Sequence, residues 1–249
     1  MIECDNIWKH FQNKPVLEGV DLKVAKGKAM VVIGQSGCGK SVLLKHLVGL
    51  LKPDRGRVLV EGEDITMMSR RNLFRVRMRF GMVFQSSALF DSLTVGENVS
   101  LALKEHTQKS NEEIIEIARE KLQMVGMDEI TDKMPAELSG GMKKRVSIAR
   151  AIVMNPACVL YDEPTTGLDP IMADVINNLI LKLKSELHIT SVIVTHDIQS
   201  AYKVADSIAM LHGGKIITMG TPDEVRMSDN EFLRQFIEGS ADGPISAGV

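Results

Sequence analysis

The stretch AMVVIGQSGCGKSVLLKHLVGLL, residues 29–51, sets the architecture. Its first five residues are apolar without alternation, which fits a strand buried on both faces. From Ser41 onward, apolar residues return at helical spacing. Between these two patterns, Gly34, Gly39, Lys40 and Ser41 fill G-x-x-x-x-G-K-[ST] in full. A glycine-rich turn between strand and helix points its main-chain amides inward and so makes a cradle for phosphate groups. Here the amides of 37–41 face the phosphates, Lys40 adds a point charge and the Ser41 hydroxyl can ligate Mg2+. The expected nucleotide-binding residues are therefore Gly34, Ser36, Gly37, Cys38, Gly39, Lys40, Ser41 and Val42.

Two further runs, ACVLY (157–161) and SVIVT (191–195), are apolar throughout and read as strands of the same parallel sheet. Between them Ile171, Val175, Leu179, Leu183 and Leu187 recur every four residues, which predicts a long helix with one buried stripe and hence a βαβ unit. Residues 2–24, 57–62 and 80–84 read as strands of a smaller, partly antiparallel sheet. Residues 95–154 are mostly helical by pattern. The run NEEIIEIAREKLQMVG, for instance, has acids at its start and a glycine at its end. The fold class is α/β, with a mostly parallel core sheet, a small antiparallel β subdomain and a helical subdomain inserted at about 86–154. One domain is expected over 1–238. The last stretch, 239–249, is small and polar and reads as an arm or a tail.

The 249 residues carry a net charge of −2, with 44% hydrophobic and 25% charged side chains. There is no basic excess of the kind nucleic-acid binders show, so none is expected as partner. Cys4, Cys38 and Cys158 are scattered and form neither a disulfide framework nor a metal-ligand spacing, which fits a reducing compartment. The opening MIECDNIWKH has an early acid and lacks the apolar core of a secretory leader. Apolar runs reach four or five residues, against the roughly twenty that a membrane span requires.

A phosphate loop needs a carboxylate for its metal, and CVLYDEP supplies one. Asp162 closes a buried strand, at the sheet edge where open α/β sheets bind ligands. Glu163 follows directly, placed to orient or deprotonate a water aimed at the terminal phosphate. One strand later SVIVTHD puts His196 at the same edge, where an imidazole can donate to that phosphate. Gln85 ends GMVFQ and is a candidate for the metal or the attacking water.

A second cradle lies at LSGGMKKR, 138–145. Ser139, Gly140 and Gly141 lead a helix with the stripe Met142, Val146, Ala149 and Val153 and with no acid near its start. Such an N-terminus favours an anion through its free amides and its dipole. The order phosphate loop, Gln85, LSGG, DE and His196 closely resembles the ATP-binding cassette (ABC) family over almost the whole chain, LSGG being that family's signature. The resemblance implies ATP hydrolysis with Mg2+ by a head-to-tail homodimer, the signature helix of one chain closing over the ATP held by the other. It further implies that Asp169 in TTGLDP lies on the loop between the two sites and that Phe11 stacks on adenine. Met142 stands where Gln is usual in the family, Phe11 where Tyr is usual, and TTGLD replaces TSALD.

FQSSALFDSLTVGENV (84–99), LKEHT (103–107), LSGGMKKR and RQFIEGSADGP (234–244) are similar to ATPases of lipid-transport systems of the Mla/Mce kind. That resemblance implies a peripheral subunit on the cytoplasmic face of the inner membrane, with an Mce-type lipid-binding partner. An integral permease would dock near Leu89, Phe90 and Leu93. An importer ATPase for small polar solutes such as amino acids shares every catalytic motif, and a soluble ABC ATPase without a permease is the other alternative.

Overall fold

The computed structural model describes residues 1–12 and 14–245. It divides into two compact units, Met1–Leu73 together with the chain from Val192 on, and Phe74–Ser191. The first unit opens with β1 (Ile2–Phe11), β2 (Lys14–Val24), β3 (Ala29–Ile33), α1 (Lys40–Leu47), β4 (Arg55–Val60) and β5 (Glu63–Asp64). Helix α2 (Arg70–Arg77) carries the chain into the second unit, which holds β6 (Phe80–Val83), α3 (Val95–His106), α4 (Asn111–Met124), a 3-10 turn at Pro135–Glu137, α5 (Gly140–Ile152), β7 (Cys158–Asp162) and α6 (Pro170–Leu187). Strand β8 (Thr190–Thr195) leads back, and α7 (Ile198–Val204), β9 (Ser207–His212), β10 (Lys215–Gly220), α8 (Pro222–Arg226) and α9 (Glu231–Glu238) complete the first unit.

In the first unit, β2, β1, β4 and β5 form an antiparallel sheet with β1 paired to β2 from Ile2↔Val24 to Phe11↔Lys14. Strand β3 pairs in parallel with β9 (Val31↔Ile208), and β10 returns antiparallel on β9 through the His212–Lys215 hairpin. All five residues of β3 are buried, as a strand covered on both faces requires. In the second unit β6 and β7 pair in parallel, Phe80↔Cys158 to Val83↔Tyr161. The class is α/β, with mostly parallel core strands beside a separate antiparallel sheet.

Two expectations are corrected. Residues 80–84 were assigned to the small antiparallel sheet, yet β6 is a parallel neighbour of β7. The short FGMV run holds no polar side chain and is too brief to show a period; α5 packs tightly on it, so that a Cβ on Gly81 would lie 2.2 Å from the Ala151 carbonyl oxygen. Helix α6 buries only part of the expected stripe: Leu179 and Leu183 are buried, whereas Ile171 and Val175 are 77% and 40% exposed. Its buried residues are Ile176, Asn177, Leu179, Ile180 and Leu183. A strict four-residue repeat drifts about 40° per step on a 3.6-residue helix, so one face cannot hold all five positions. Of the expected arm or tail, 239–245 folds back on α9. Ile245 is buried, and its N–H and C=O are both taken by the Gln235 side chain, at 2.7 and 3.1 Å. Residues 246–249 lie outside the described residues.

Candidate functional site

The first unit carries the phosphate loop between β3 and α1. Gly39 precedes α1 with φ 106°, a conformation that side chains avoid, and a Cβ there would lie 3.0 Å from the Val16 carbonyl oxygen. The first turn of α1 holds no acid. Lys40 is 5% exposed, and its ammonium donates to the carbonyls of Gly34 and Gln35 at 2.8 and 2.9 Å. That fixes the charge over the loop instead of in solvent. Gln35, Ser36 and Gly37 are exposed, Cys38, Ser41 and Val42 half-buried. Phe11 ends β1, is 42% exposed, and has the Lys9 ammonium 5.5 Å from its ring centre. His196 is exposed directly after β8, in the turn that Asp197 closes by capping α7.

The second unit carries the carboxylates. Asp162, the last residue of β7, and Glu163 are both buried. Glu163 has φ 48°, a left-handed conformation of the kind that costs non-glycine residues about 1–3 kcal/mol and survives only where neighbours over-determine it. Thr166 supplies two restraints. Its N–H donates to the Glu163 carbonyl at 3.3 Å and its hydroxyl to the carboxylate at 3.1 Å. A third comes from Lys144 on α5, whose ammonium donates to the Glu163 carbonyl at 3.1 Å and to the Gln85 carbonyl at 2.5 Å. Gln85 thus lies two residues past the end of β6, not on it, with its main chain anchored. Burial pushes the Lys144 ammonium below its ordinary value, opposed in part by the carboxylates of Glu163 and Asp162.

Ser139 caps α5, accepting from the Met142 N–H at 3.3 Å. The first turn carries no acid, and Ser139 and Gly140 are exposed, so the N-terminus faces outward. Gly141 answers to packing as well, since a Cβ there would meet the Met172 methyl at 2.4 Å. Of the expected stripe, Val146, Ala149 and Val153 are buried and Met142 half-buried. Asp169 caps α6, accepting from the N–H groups of Ile171 and Met172 at 3.0 Å.

The segment after Gln85 is held by side chains that sequence reading passed over. Arg150 of α5 donates to the carbonyls of Ser87 and Ala88, both at 2.7 Å, and both of those residues have positive φ. Asn98, fully buried on α3, accepts from the Phe90 N–H at 2.8 Å and has its amide nitrogen 3.0 Å from the carbonyls of Phe90, Leu93 and Thr94. Phe90 is left 52% exposed, with Leu89 and Leu93 half-buried. The signal for Lys144 was its place on the line Gly141, Lys144, Ile148, Ala151 of a helix buried almost all round.

Residues 17–166 match the sequence pattern of the family described as ABC transporter. The chain is 41% identical over 244 residues to the probable ribonucleotide transport ATP-binding protein mkl of Mycobacterium leprae, covering 98% of this chain and 70% of that one. It is 39% identical over 245 residues to the intermembrane phospholipid transport system ATP-binding protein MlaF of Haemophilus influenzae, covering 98% and 93%. Among solved structures it resembles the ATP-binding cassette MJ0796 in a dimeric, post-hydrolysis state bound to ADP and Pi. The TM-score there is 0.82 at 33% identity, over 89% of this chain and 99% of that one. The family match takes in the phosphate loop, the LSGG helix and the carboxylate strand end alike, and the chain accordingly belongs to the ABC transporter family as one of its ATP-hydrolysing cassettes.

Proposed function

We propose that this cassette drives phospholipid transport, working as a homodimer on the cytoplasmic face of the cell membrane with a permease pair and an Mce-type lipid-binding protein. The observation that carries the cargo is the near end-to-end likeness to a protein named for phospholipid transport. No described helix is long and apolar enough to cross a membrane, and in this reading the permease supplies the path. The surface offered to it is the segment around Leu89, Phe90 and Leu93, the part of the second unit that Asn98 holds with Phe90 exposed. A ribonucleotide cargo is the second reading, on the name of the mycobacterial relative.

The homodimer reading rests on the two cradles and on the dimeric state of the cassette neighbour. The outward α5 N-terminus, with Ser139, Gly140 and Gly141, serves the phosphates held by the partner's loop, and Asp169 lies on the loop between the sites. Gly34 and the loop amides from Ser36 to Val42 bind the β- and γ-phosphates with Lys40, while Phe11 stacks on the adenine. The hydroxyl of Ser41, the carboxylate of Asp162 and the side-chain carbonyl of Gln85 are hard oxygen donors that suit Mg2+, too few to saturate it without phosphate oxygens and water. The ion would neutralise charge on the phosphates. Glu163 takes the proton of the attacking water as it adds to the γ-phosphorus, ADP leaves, and His196 donates a hydrogen bond to the γ-phosphate.

The test uses Glu163→Gln. Removing a general base lowers turnover by about 10²–10⁴-fold, while ATP binding and ATP-driven dimerisation persist. Wild-type turnover in that variant would remove Glu163 from the role. The tagged variant is then recovered from membranes with Mg·ATP, and the co-purifying proteins and lipids are identified by mass spectrometry. A permease, an Mce-type protein and bound phospholipid support the proposal. A solute permease without lipid refutes the cargo, and the homodimer alone refutes the membrane assembly.

A further inference from the structure

The Lys144 ammonium joins the main chains of two residues that the proposed chemistry uses. It is 4% exposed on α5 and donates to the carbonyl oxygens of Gln85 and Glu163, at 2.5 and 3.1 Å. Neither carbonyl sits in regular structure. Gln85 follows the end of β6, and Glu163 occupies the left-handed turn after β7. A buried ammonium is costly unless its surroundings repay the lost hydration, and an apolar side chain of the same length would pack this position at lower cost. Holding two loops in one geometry is what the lysine does and what methionine cannot do. The Ser139 cap stands five residues earlier on the same helix, about 7.5 Å along its axis.

We propose that Lys144 is a positioning residue for ATP hydrolysis, fixing the main chains of Gln85 and Glu163 to the signature helix. A phosphate seated at the α5 N-terminus then sets both side chains at once. The two carbonyls move with α5 as one body, and the Arg150 bonds to Ser87 and Ala88 extend that body along the segment after Gln85. This deepens the proposed function and rests on its assignment of Gln85 and Glu163.

The experiment compares Lys144→Met and Lys144→Arg with the wild-type full chain in steady-state ATPase kinetics. Nucleotide binding to the monomer, thermal melting and amide exchange over 85–88 are measured alongside. Lys144→Met is expected to lower kcat at least about tenfold while KM stays within about twofold, the signature of an interaction absent from ground-state binding. Exchange at 85–88 should accelerate at least about tenfold as the loop anchor is lost. Lys144→Arg, which keeps a cation with several N–H donors, should recover most of the turnover. The proposal is overturned if Lys144→Met keeps wild-type kcat and amide protection, or if Lys144→Arg, folded and melting like wild type, is as slow as Lys144→Met. Should Lys144→Met fail to fold, Lys144→Gln keeps one donor group and is held to the same split between kcat and KM. Failure of the underlying reading shows separately, as full turnover by Glu163→Gln.

Discussion

Replacing Asn98 with alanine should loosen the segment proposed to meet a permease while leaving the nucleotide chemistry in place. The Asn98 side chain is fully buried, accepts from the Phe90 N–H and faces three carbonyls with its amide. An amide has two hydrogens, so at any moment it makes two donor bonds and the one acceptor bond. At about 1 kcal/mol net for each, the loss is about 3 kcal/mol, and more where the abandoned Phe90 N–H finds no water. Urea denaturation of the isolated chain measures it, with amide exchange at Phe90 as the local readout. Asn98→Asp separates hydrogen bonding from cavity formation. The carboxylate keeps the volume and the acceptor for Phe90, but it turns a negative charge on three carbonyl oxygens and should cost at least as much. ATPase activity of the isolated chain should stay within about twofold of wild type, since local opening away from the chemistry need not reach it. Permease recovery from membranes should fall. A loss below about 0.5 kcal/mol in both variants, with Phe90 still protected, would refute the assignment of Asn98 as the clamp.

Two other substitutions test the ends of the machinery. Ser139→Arg removes a cap worth about 1 kcal/mol and puts a bulky side chain on the exposed α5 N-terminus. Nucleotide binding to the monomer should persist while dimer closure and hydrolysis are lost, and wild-type hydrolysis would sink the composite site. Gln235→Ala removes both bonds to Ile245 and one from its amide to the Ser240 carbonyl at 3.2 Å. Limited proteolysis should then cut within 240–245 at least about tenfold faster, and an unchanged cleavage rate would show that the Ile245 side chain alone holds the hook.

The phosphate loop was legible because its chemistry lies in the main chain and demands glycine at fixed spacing. The position before α1 shows why: with φ 106° and Val16 close by, Gly39 admits no other residue comfortably. The DE strand end and the LSGG helix were legible for a similar reason, a residue type that local structure alone does not favour. Strand β6 was not. Four residues give too little period to tell a parallel partner of β7 from a strand of the antiparallel sheet, and the cover on Gly81 comes from Ala151, seventy residues downstream. The helix after β7 was found, but only part of its buried face, because a four-residue repeat rotates by about 40° at each step and cannot stay on one face of the helix.

Lys144, Arg150 and Asn98 share a different obscurity. Each is polar, and on a helix pattern polar residues read as the solvent face. What draws them off the solvent face is the need of distant loops for donors: Gln85, Ser87, Ala88, Phe90 and Glu163 carry carbonyls outside any strand ladder, three of them in left-handed residues. A buried carbonyl without a partner costs free energy comparable to a lost hydrogen bond, so irregular backbone in this unit has to be met by side chains. Cations on one rigid helix meet that need with a consequence that apolar packing would not give. Hydrogen bonds of 2.5–3.1 Å fix direction as well as distance, whereas a methyl surface lets its neighbour slide. On the proposed reading, a helix that reports contact at its N-terminus to both Glu163 and the 87–93 segment gains from the directional kind, and α5 makes such bonds at Lys144 and again at Arg150.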